Sequence, residues 1–185
     1  MPESLPRLPP GSRVLELGCG NGKTLGGLIS CGFTVSAIDF SRTAAELTRN
    51  SSPPSSPVEI VVADVRGIPF RAASFDAVVA YHVLGHMNGE DRRLAASEIR
   101  RVLRPGGTAC FRDFSTADFR YGKGHITEPG TFTRGNGIAT HYFTESETVD
   151  LFTGMHCTVM CETRWTLRVR GTDHTRAEIV ADFSV

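Results

Sequence analysis

The sequence predicts a three-layer α/β fold, in which helices cover a mostly parallel sheet that ends in a C-terminal antiparallel hairpin. Strand and helix patterns alternate through the first two thirds of the chain, as they do in parallel sheets with crossover helices. Two β-rich runs, separated by Gly171-Thr172-Asp173, close the chain and predict the hairpin. The length of 185 residues is typical of one domain, so we expect a single unit over residues 1–185.

Five short apolar runs predict the parallel strands, because each has strand length and is bounded by glycine, proline or a capping residue. These strands are Arg13–Leu17, Phe33–Ile38, Val58–Ala63, Phe75–Ala80 and Thr108–Arg112. Helical spacing and capping residues predict helices over Gly22–Cys31, Ser41–Asn50, Asn88–Leu103 and Thr144–Phe152. The hairpin strands are predicted at Cys157–Arg170 and Thr175–Ser184.

The segment between the fifth strand and the last helix, residues 114–139, has a different character. It contains Gly122, Gly124, Gly130, Gly135 and Gly137 and shows little periodicity. We therefore expect a long irregular excursion, and a segment of that length in a compact domain is usually functional.

The charge balance narrows the classes of function. Twenty basic and twenty acidic residues give zero net charge at pH 7, so no overall field attracts nucleic acid or an anionic membrane. Basic residues cluster only between Arg92 and Arg104 on the long predicted helix, as a solvated face or as a phosphate contact. No apolar run approaches the ~20 residues of a membrane span. The five scattered cysteines suit free thiols, so we expect a cytoplasmic protein with no membrane partner.

Glycine and acidic residues at the strand ends predict a ligand site. The run Gly18–Gly22 follows the first strand, where a tight turn lets a ligand approach the backbone, and Glu16 precedes it. Asp39 ends the second strand and Asp64 the third. Ligands of open α/β sheets bind beyond the carboxyl ends of the strands, and Glu16 disfavours a pyrophosphate there. The pattern therefore indicates a nucleoside that carries positive charge instead of phosphate.

These residues, with the runs Ile68–Asp76 and Leu103–Gly107, resemble the class I S-adenosylmethionine-dependent methyltransferases over roughly residues 13–112. The resemblance implies a Rossmann-like sheet, S-adenosylmethionine as cofactor and S-adenosylhomocysteine as product. It implies a cofactor-binding half over about residues 11–112, and an acceptor lid with the terminal strands over about 113–185.

The resemblance also implies the cofactor contacts. The methionine part is expected at the glycine loop, the ribose at the end of the second strand, the adenine at the end of the third, and the methyl donor above the end of the fourth. The residues that it implies, in that order, are Glu16, Gly18, Cys19, Gly20 and Gly22; Asp39 and Phe40; Asp64 and Val65; and Tyr81 and His82. The alternative for Asp64 and Tyr81 is that they only cap loops.

The last third of the chain resembles the methyltransferases that make 3-methylcytidine in tRNA. The likeness lies in the run Phe111–Phe114, in Asp118 and Arg120, in the loop Phe132–Gly137 and in the run His141–Thr144. It implies that the acceptor is a nucleobase nitrogen in tRNA-like RNA, with an RNA-binding partner protein as an open possibility.

Asp113 and His82 are the catalytic candidates. We expect Asp113, at the end of the fifth strand, to face the cofactor cleft and stabilise the methylated ring nitrogen; the alternative is that Arg112 and Asp113 form a structural ion pair with the acceptor lid. Arginines would orient an anionic group of the acceptor, and aromatic rings would stack on its base. The residues expected to contact the acceptor are Arg120, Phe132, Arg134, Asn136 and Tyr142.

Two other functions remain in competition at the level of sequence. A small-molecule methyltransferase is favoured by the neutral charge and by the few residues that precede the first strand. A non-catalytic cofactor-binding subunit is disfavoured by the intact glycine loop and acidic residues. A metal site is not expected, because His82 and His86 have zinc-like spacing but no third ligand is evident.

Overall fold

The seven-stranded sheet that the sequence predicts is present. The computed structural model describes residues 5–52, 58–135 and 137–185. The strands of this sheet are β1 Arg13–Leu17, β2 Thr34–Asp39, β3 Val58–Val62, β4 Phe75–Tyr81, β5 Leu103–Phe114, β9 His156–Val169 and β10 Thr172–Ser184. Their order is β3-β2-β1-β4-β5-β10-β9, with β1 to β5 parallel and the last two strands antiparallel. The predicted fold class is confirmed.

Helices cover both faces of the sheet because both faces are apolar. The helices are α1 Lys23–Ser30, α2 Arg42–Ser51, α3 Gly89–Val102 and α4 Glu145–Leu151. Successive strand residues point to opposite faces, so Val14 of β1 packs with Leu28 of α1, while Leu15 belongs to the cluster of Ile99 of α3. Within the described residues, no helix has the length and apolarity needed to cross a membrane.

The C-terminal hairpin is closed by a two-residue turn. Arg170 and Gly171 have φ angles of 49° and 81°, and two positive φ angles match the right-handed twist of the flanking strands. The turn therefore lies slightly earlier than the predicted Gly171-Thr172-Asp173. β5 also begins earlier than predicted, because Leu103 already pairs with Phe75 before a register shift.

The irregular excursion predicted over residues 114–139 is confirmed only in part, because short strands interrupt it. Three short strands, β6 His125–Glu128, β7 Thr131–Thr133 and β8 Ala139–His141, form a separate antiparallel sheet. Strands of three or four residues are too short to show a period of two in the sequence. Glu128 ties this small sheet to the start of α3, since it pairs with Arg92 at 2.7 Å and accepts a hydrogen bond from the Gly89 N–H.

The α3 contact with the sheet generates a stability prediction. Ile99 is fully buried, whereas Leu94 on the same helix is 47% exposed. Ile99→Ala should lower the free energy of unfolding by about 2–5 kcal/mol, because it removes buried methyl groups and leaves a cavity. Leu94→Ala should stay within about 0.5 kcal/mol of the parent. Urea unfolding followed by circular dichroism measures both, and equal losses would contradict this packing.

Candidate active site

Three parallel strands bring the predicted ligand residues to one edge of the sheet. Leu17, at the end of β1, pairs with Ile38 of β2 on one side and with Ala80 of β4 on the other. The glycine loop after β1, the end of β2 and the end of β4 consequently lie side by side. This is the edge at which the sequence predicts a ligand.

The glycine loop is shaped by positive φ angles and by hydrogen bonds to β2. Gly18 has a φ of 64°, and a Cβ on it would lie 2.6 Å from a methyl group of Val83. The N–H groups of Gly20 and Ser41 each donate to one carboxylate oxygen of Asp39, both at 2.9 Å. Each oxygen keeps a second lone pair, so the buried Asp39 can still accept hydroxyl donors.

Two adjoining cavities open at this edge, and both are lined by Gly18 and His82. The larger has a volume of about 460 Å³ and the smaller about 260 Å³. The predicted residues that line the larger cavity are Asp39, Phe40, Asp64 and Val65. Those that line the smaller one are Glu16, Cys19, Gly20 and Tyr81. Gly22 lines neither cavity and instead precedes α1 with a φ of 78°.

Sequence reasoning missed several residues of the larger cavity. Most of them come shortly after β4, and this position was the only feature of the sequence that could have indicated them. They are Arg66, Val83, His86, Met87, Asn88 and Asp91. Five of these residues lie in or cap two helices, the short 3₁₀ helix Leu84–His86 and α3.

Asp64 is held by an arginine at the mouth of the larger cavity. The Arg66 guanidinium contacts both Asp64 oxygens and reaches Asp91 at 3.1 Å. Hydrogen bonds from Arg66 lower the pKa of Asp64, so this carboxylate is ionised at neutral pH. Arg66 thereby bridges the end of β3 and the start of α3 across the cavity.

His82 stands where the two cavities meet and has an unusual backbone. Its φ of 56° is rare for a residue with a side chain. Its Nδ1 lies 3.8 Å from an Asp113 oxygen, and its Nε2 lies 3.4 Å from a Glu178 oxygen. Burial alone would lower the pKa of His82, but the two carboxylates outweigh it and raise the pKa to about 9. The side chain is therefore an imidazolium at neutral pH.

Asp113 does not face the cleft, contrary to the expectation from its position after β5. Its side chain is 2% exposed, accepts a 2.7 Å hydrogen bond from the Gly85 N–H and lies behind His82. A Cβ at position 85 would lie 2.6 Å from the same carboxylate, so only glycine fits there. Arg112, the neighbouring residue named in the alternative expectation, approaches Glu178 of β10 at 3.4 Å.

The predicted acceptor residues fall into two groups. Phe132 and Tyr121, the latter 43% exposed, pack edge to face at 5.3 Å near the surface. Tyr142 is 1% exposed, so its expected stacking on a base is wrong: its ring is already enclosed by neighbouring aromatic rings. Arg120 and Arg134 lie close enough to Tyr142 to act on its hydroxyl electrostatically. Asn136 lies outside the described residues.

The ionisation of His82 generates a prediction for stability. A pKa raised from 6.5 to about 9 stabilises the fold fully below pH 6.5, and this contribution is lost as the pH rises through 9. The difference in unfolding free energy between the parent and His82→Asn should therefore shrink between pH 6.5 and 9. Asparagine is chosen because it tolerates positive φ.

Urea titrations across this pH range measure the difference. His156→Asn is the control, because His156 is an exposed residue at the start of β9, next to Ser184 and far along the sheet from the cleft. Its difference from the parent should not change over the same range. A constant difference for His82→Asn would contradict the ion pairs assigned to His82.

Comparisons with known proteins agree with this geometry. A family model described as "Methyltransferase domain" matches residues 15–111. The tRNA N(3)-cytidine methyltransferase METTL2 of Gallus gallus is 31% identical over 153 residues, which cover 76% of this chain and 41% of that protein. The tRNA (carboxymethyluridine(34)-5-O)-methyltransferase alkbh8 of Xenopus tropicalis is 39% identical over 106 residues, 57% of this chain and 16% of that protein. The chain thus spans less than half the length of these relatives.

Solved structures show the same fold. A SAM-dependent methyltransferase from Methanosarcina mazei aligns with a TM-score of 0.80 at 24% identity, over 96% of this chain and 94% of that one. The Burkholderia thailandensis 1,6-didemethyltoxoflavin-N1-methyltransferase, solved with S-adenosylhomocysteine, aligns with a TM-score of 0.67 at 20% identity, over 95% and 72%. Because the family model covers more than half of the chain, the chain belongs to the methyltransferase domain family, and it has the fold of the S-adenosylmethionine-dependent methyltransferases.

Proposed function

We propose that this methyltransferase acts on a nucleobase nitrogen in tRNA-like RNA. The observation that carries the proposal is the position of His82, a cation between Asp113 and Glu178 at the meeting point of the two cavities. The relatives named as tRNA methyltransferases support it, because the METTL2 match covers 76% of the chain and therefore extends beyond the family model.

The two cavities suit the two ends of the cofactor, which supplies a methyl group on a positively charged sulfur. In the larger cavity, Asp39 would accept the ribose hydroxyls, and Asp64 and Val65 would hold the adenine, with the exposed ring of Phe40 beside them. In the smaller cavity, Glu16 and the backbone of the glycine loop would hold the methionine part. Gly18 keeps the passage between them open, since a Cβ there would press on Val83.

The raised pKa of His82 favours an acceptor that needs no general base. An imidazolium carries no free lone pair on nitrogen and cannot remove a proton from a hydroxyl group. A ring nitrogen such as N3 of cytosine needs no base, because its lone pair attacks directly. For such an acceptor the protein chiefly supplies alignment, which can contribute ~7–11 kcal/mol to lowering the barrier. Asp113 and Glu178 balance the charge of His82, so His82 then acts by fixing the shape of the cleft beside the reacting atoms.

Asp113 takes a positioning role in this scheme instead of the direct catalytic role expected from the sequence. Its carboxylate accepts a hydrogen bond from the Gly85 N–H and faces the His82 ring. Asp113 therefore orients the ring and helps to raise the pKa of His82. Glu178 does the same from β10, and Arg112 lies between Glu178 and the Tyr81 ring, 4.9 Å from the ring centre.

A small-molecule acceptor is the second candidate, and the distribution of positive charge favours it. Three of the basic residues in the cluster between Arg92 and Arg104 pair with carboxylates: Arg92 with Glu128, Arg101 with Glu98, and Arg104 with Asp76. These arginines stabilise the fold and form no open phosphate track. RNA binding would then need other residues or a partner protein; a structural neighbour from Haloferax volcanii was solved with the Trm112 methyltransferase activator.

The glycine loop generates a prediction for cofactor binding. Gly18→Ala should weaken S-adenosylhomocysteine binding about tenfold or more, because the new methyl group displaces Val83 into the larger cavity. Gly106→Ala is the matched control: its φ of 78° imposes the same backbone strain, but nothing lies within 4 Å of the added methyl group. Titration calorimetry measures both. Equal affinities of the two variants for S-adenosylhomocysteine would show that the cofactor does not bind across Gly18.

The acceptor class is tested with labelled S-adenosylmethionine and total RNA. Label in nuclease-sensitive material is the expected result, and His82→Asn should reduce turnover by about 10² or more, because the ring that lines both cavities no longer positions the reacting groups. His156→Asn should behave as the parent. Label found only in metabolite fractions would select the second candidate. Cofactor binding without transfer to either fraction would indicate a non-catalytic subunit.

A further inference from the structure

Three guanidinium groups gather around the buried Tyr142, next to the cofactor cleft. The Arg120 and Arg176 guanidinium carbons lie 4.0 Å and 4.4 Å from the centre of the Phe114 ring. The charges of Arg120, Arg134 and Arg176 all act on the Tyr142 hydroxyl. Arg176 belongs to β10, Arg120 precedes β6, and Arg134 lies in the loop between β7 and β8, so the tertiary structure assembles the cluster.

One carboxylate faces these three cations. Asp118 is fully buried and pairs with Arg120 at 2.8 Å and with Arg176 at 2.6 Å. These two pairs outweigh the burial and lower the pKa of Asp118, so the carboxylate is charged. Within the part of the chain that the structure describes, Arg134 has no carboxylate partner. The cluster therefore has more positive than negative charge, in surroundings where an uncompensated charge is costly.

Two donors of the cluster also lack partners. The Tyr142 hydroxyl and the Arg134 Nε are both buried, and neither has a hydrogen-bond partner among the described residues. Burial raises the pKa of Tyr142, so its hydroxyl is a donor as well as an acceptor. A buried donor without a partner destabilises the protein unless a bound group satisfies it.

We propose that Arg134 and the Tyr142 hydroxyl, with Arg120 and Arg176 beside them, bind an oxyanion of the methyl acceptor. The site is one ring away from the reaction centre, because Phe114 packs against His82 with ring centres 4.6 Å apart and carries both arginines on its faces. The inference rests on the proposed function for the identity of that oxyanion: a phosphate in RNA, or a carboxylate or phosphate in a small acceptor.

Asp118 explains how the cluster is kept in place without a ligand. It accepts hydrogen bonds from the Arg120 N–H and side chain, from the Arg176 side chain and from the Ala177 N–H. Arg120 and Arg176 are therefore structural as well as cationic, and replacing them would disturb the fold. Tyr142 and Arg134 carry the unsatisfied donors, so they are the residues to test.

The binding test uses inorganic phosphate and, separately, acetate, at constant ionic strength in chloride. Phosphate should raise the thermal unfolding midpoint of the parent, and its affinity should fall about tenfold or more in Arg134→Gln and in Tyr142→Phe. The Arg71→Gln control removes an exposed arginine in the loop before β4, at the opposite edge of the sheet, and should respond as the parent. A parent that responds to neither anion, or an equal response in all variants, overturns the site.

Tyr142→Phe also separates ligand binding from a structural role. Without added anion its unfolding midpoint should equal or exceed that of the parent, because the variant removes a buried hydroxyl that has no partner. A large loss of stability would show that the hydroxyl has a structural partner and would overturn the inference. A response to acetate alone would support the site and assign the oxyanion to a carboxylate acceptor.

Kinetics distinguishes failure of this inference from failure of the proposed function. With RNA as acceptor, Arg134→Gln and Tyr142→Phe should raise KM about tenfold and leave S-adenosylhomocysteine affinity unchanged. Unchanged KM in both variants, with active RNA methylation by the parent, overturns the oxyanion site and leaves the proposed function standing. If the parent binds phosphate but methylates no RNA, the oxyanion site stands and the proposed RNA function is overturned.

Discussion

The parallel pairing of β1 with both β2 and β4 is the constraint on which the site depends. Leu17 aligns with Ile38 on one side and Ala80 on the other, so three strands end at the same level. The glycine loop, Asp39 and His82 are neighbours for that reason alone, although they are far apart in the sequence. Apolar residues on both faces of these strands keep the register, since a slip by one residue would turn buried side chains towards the wrong face.

A second layer of residues, all of them charged or aromatic, lies behind this edge of the sheet. His82 lies between Asp113 of β5 and Glu178 of β10, and the Phe114 ring connects it to the arginines around Asp118. The layer depends on the antiparallel pairing of β10 with β5, which places Glu178 opposite Phe114. The cleft and the arginines around Asp118 therefore belong to one connected set of contacts, although they come from different parts of the chain.

Sequence reasoning worked best where a residue type and its place after a strand imply a single geometry. Gly18 and Asp39 are such cases: positive φ and a carboxylate at a strand end leave few alternatives, and both line the cavities. Asp113 shows the limit. Its position after β5 is the same, but its side chain points away from the cleft because the Gly85 N–H is available as a donor behind it.

The sequence by itself determined the alternation of strands and helices, the terminal hairpin, the glycine loop and the strand-end acids, because these depend on short-range periodicity and on backbone conformations that few residues adopt. Only the tertiary structure decided the charge of His82, the burial of the Tyr142 ring and the short strands within residues 114–139. Each of these depends on groups brought together from distant positions, such as Glu178 beside His82 and Asp118 beside Arg176. Electrostatic shifts and burial depend on such distances in space, which no local pattern of residues records.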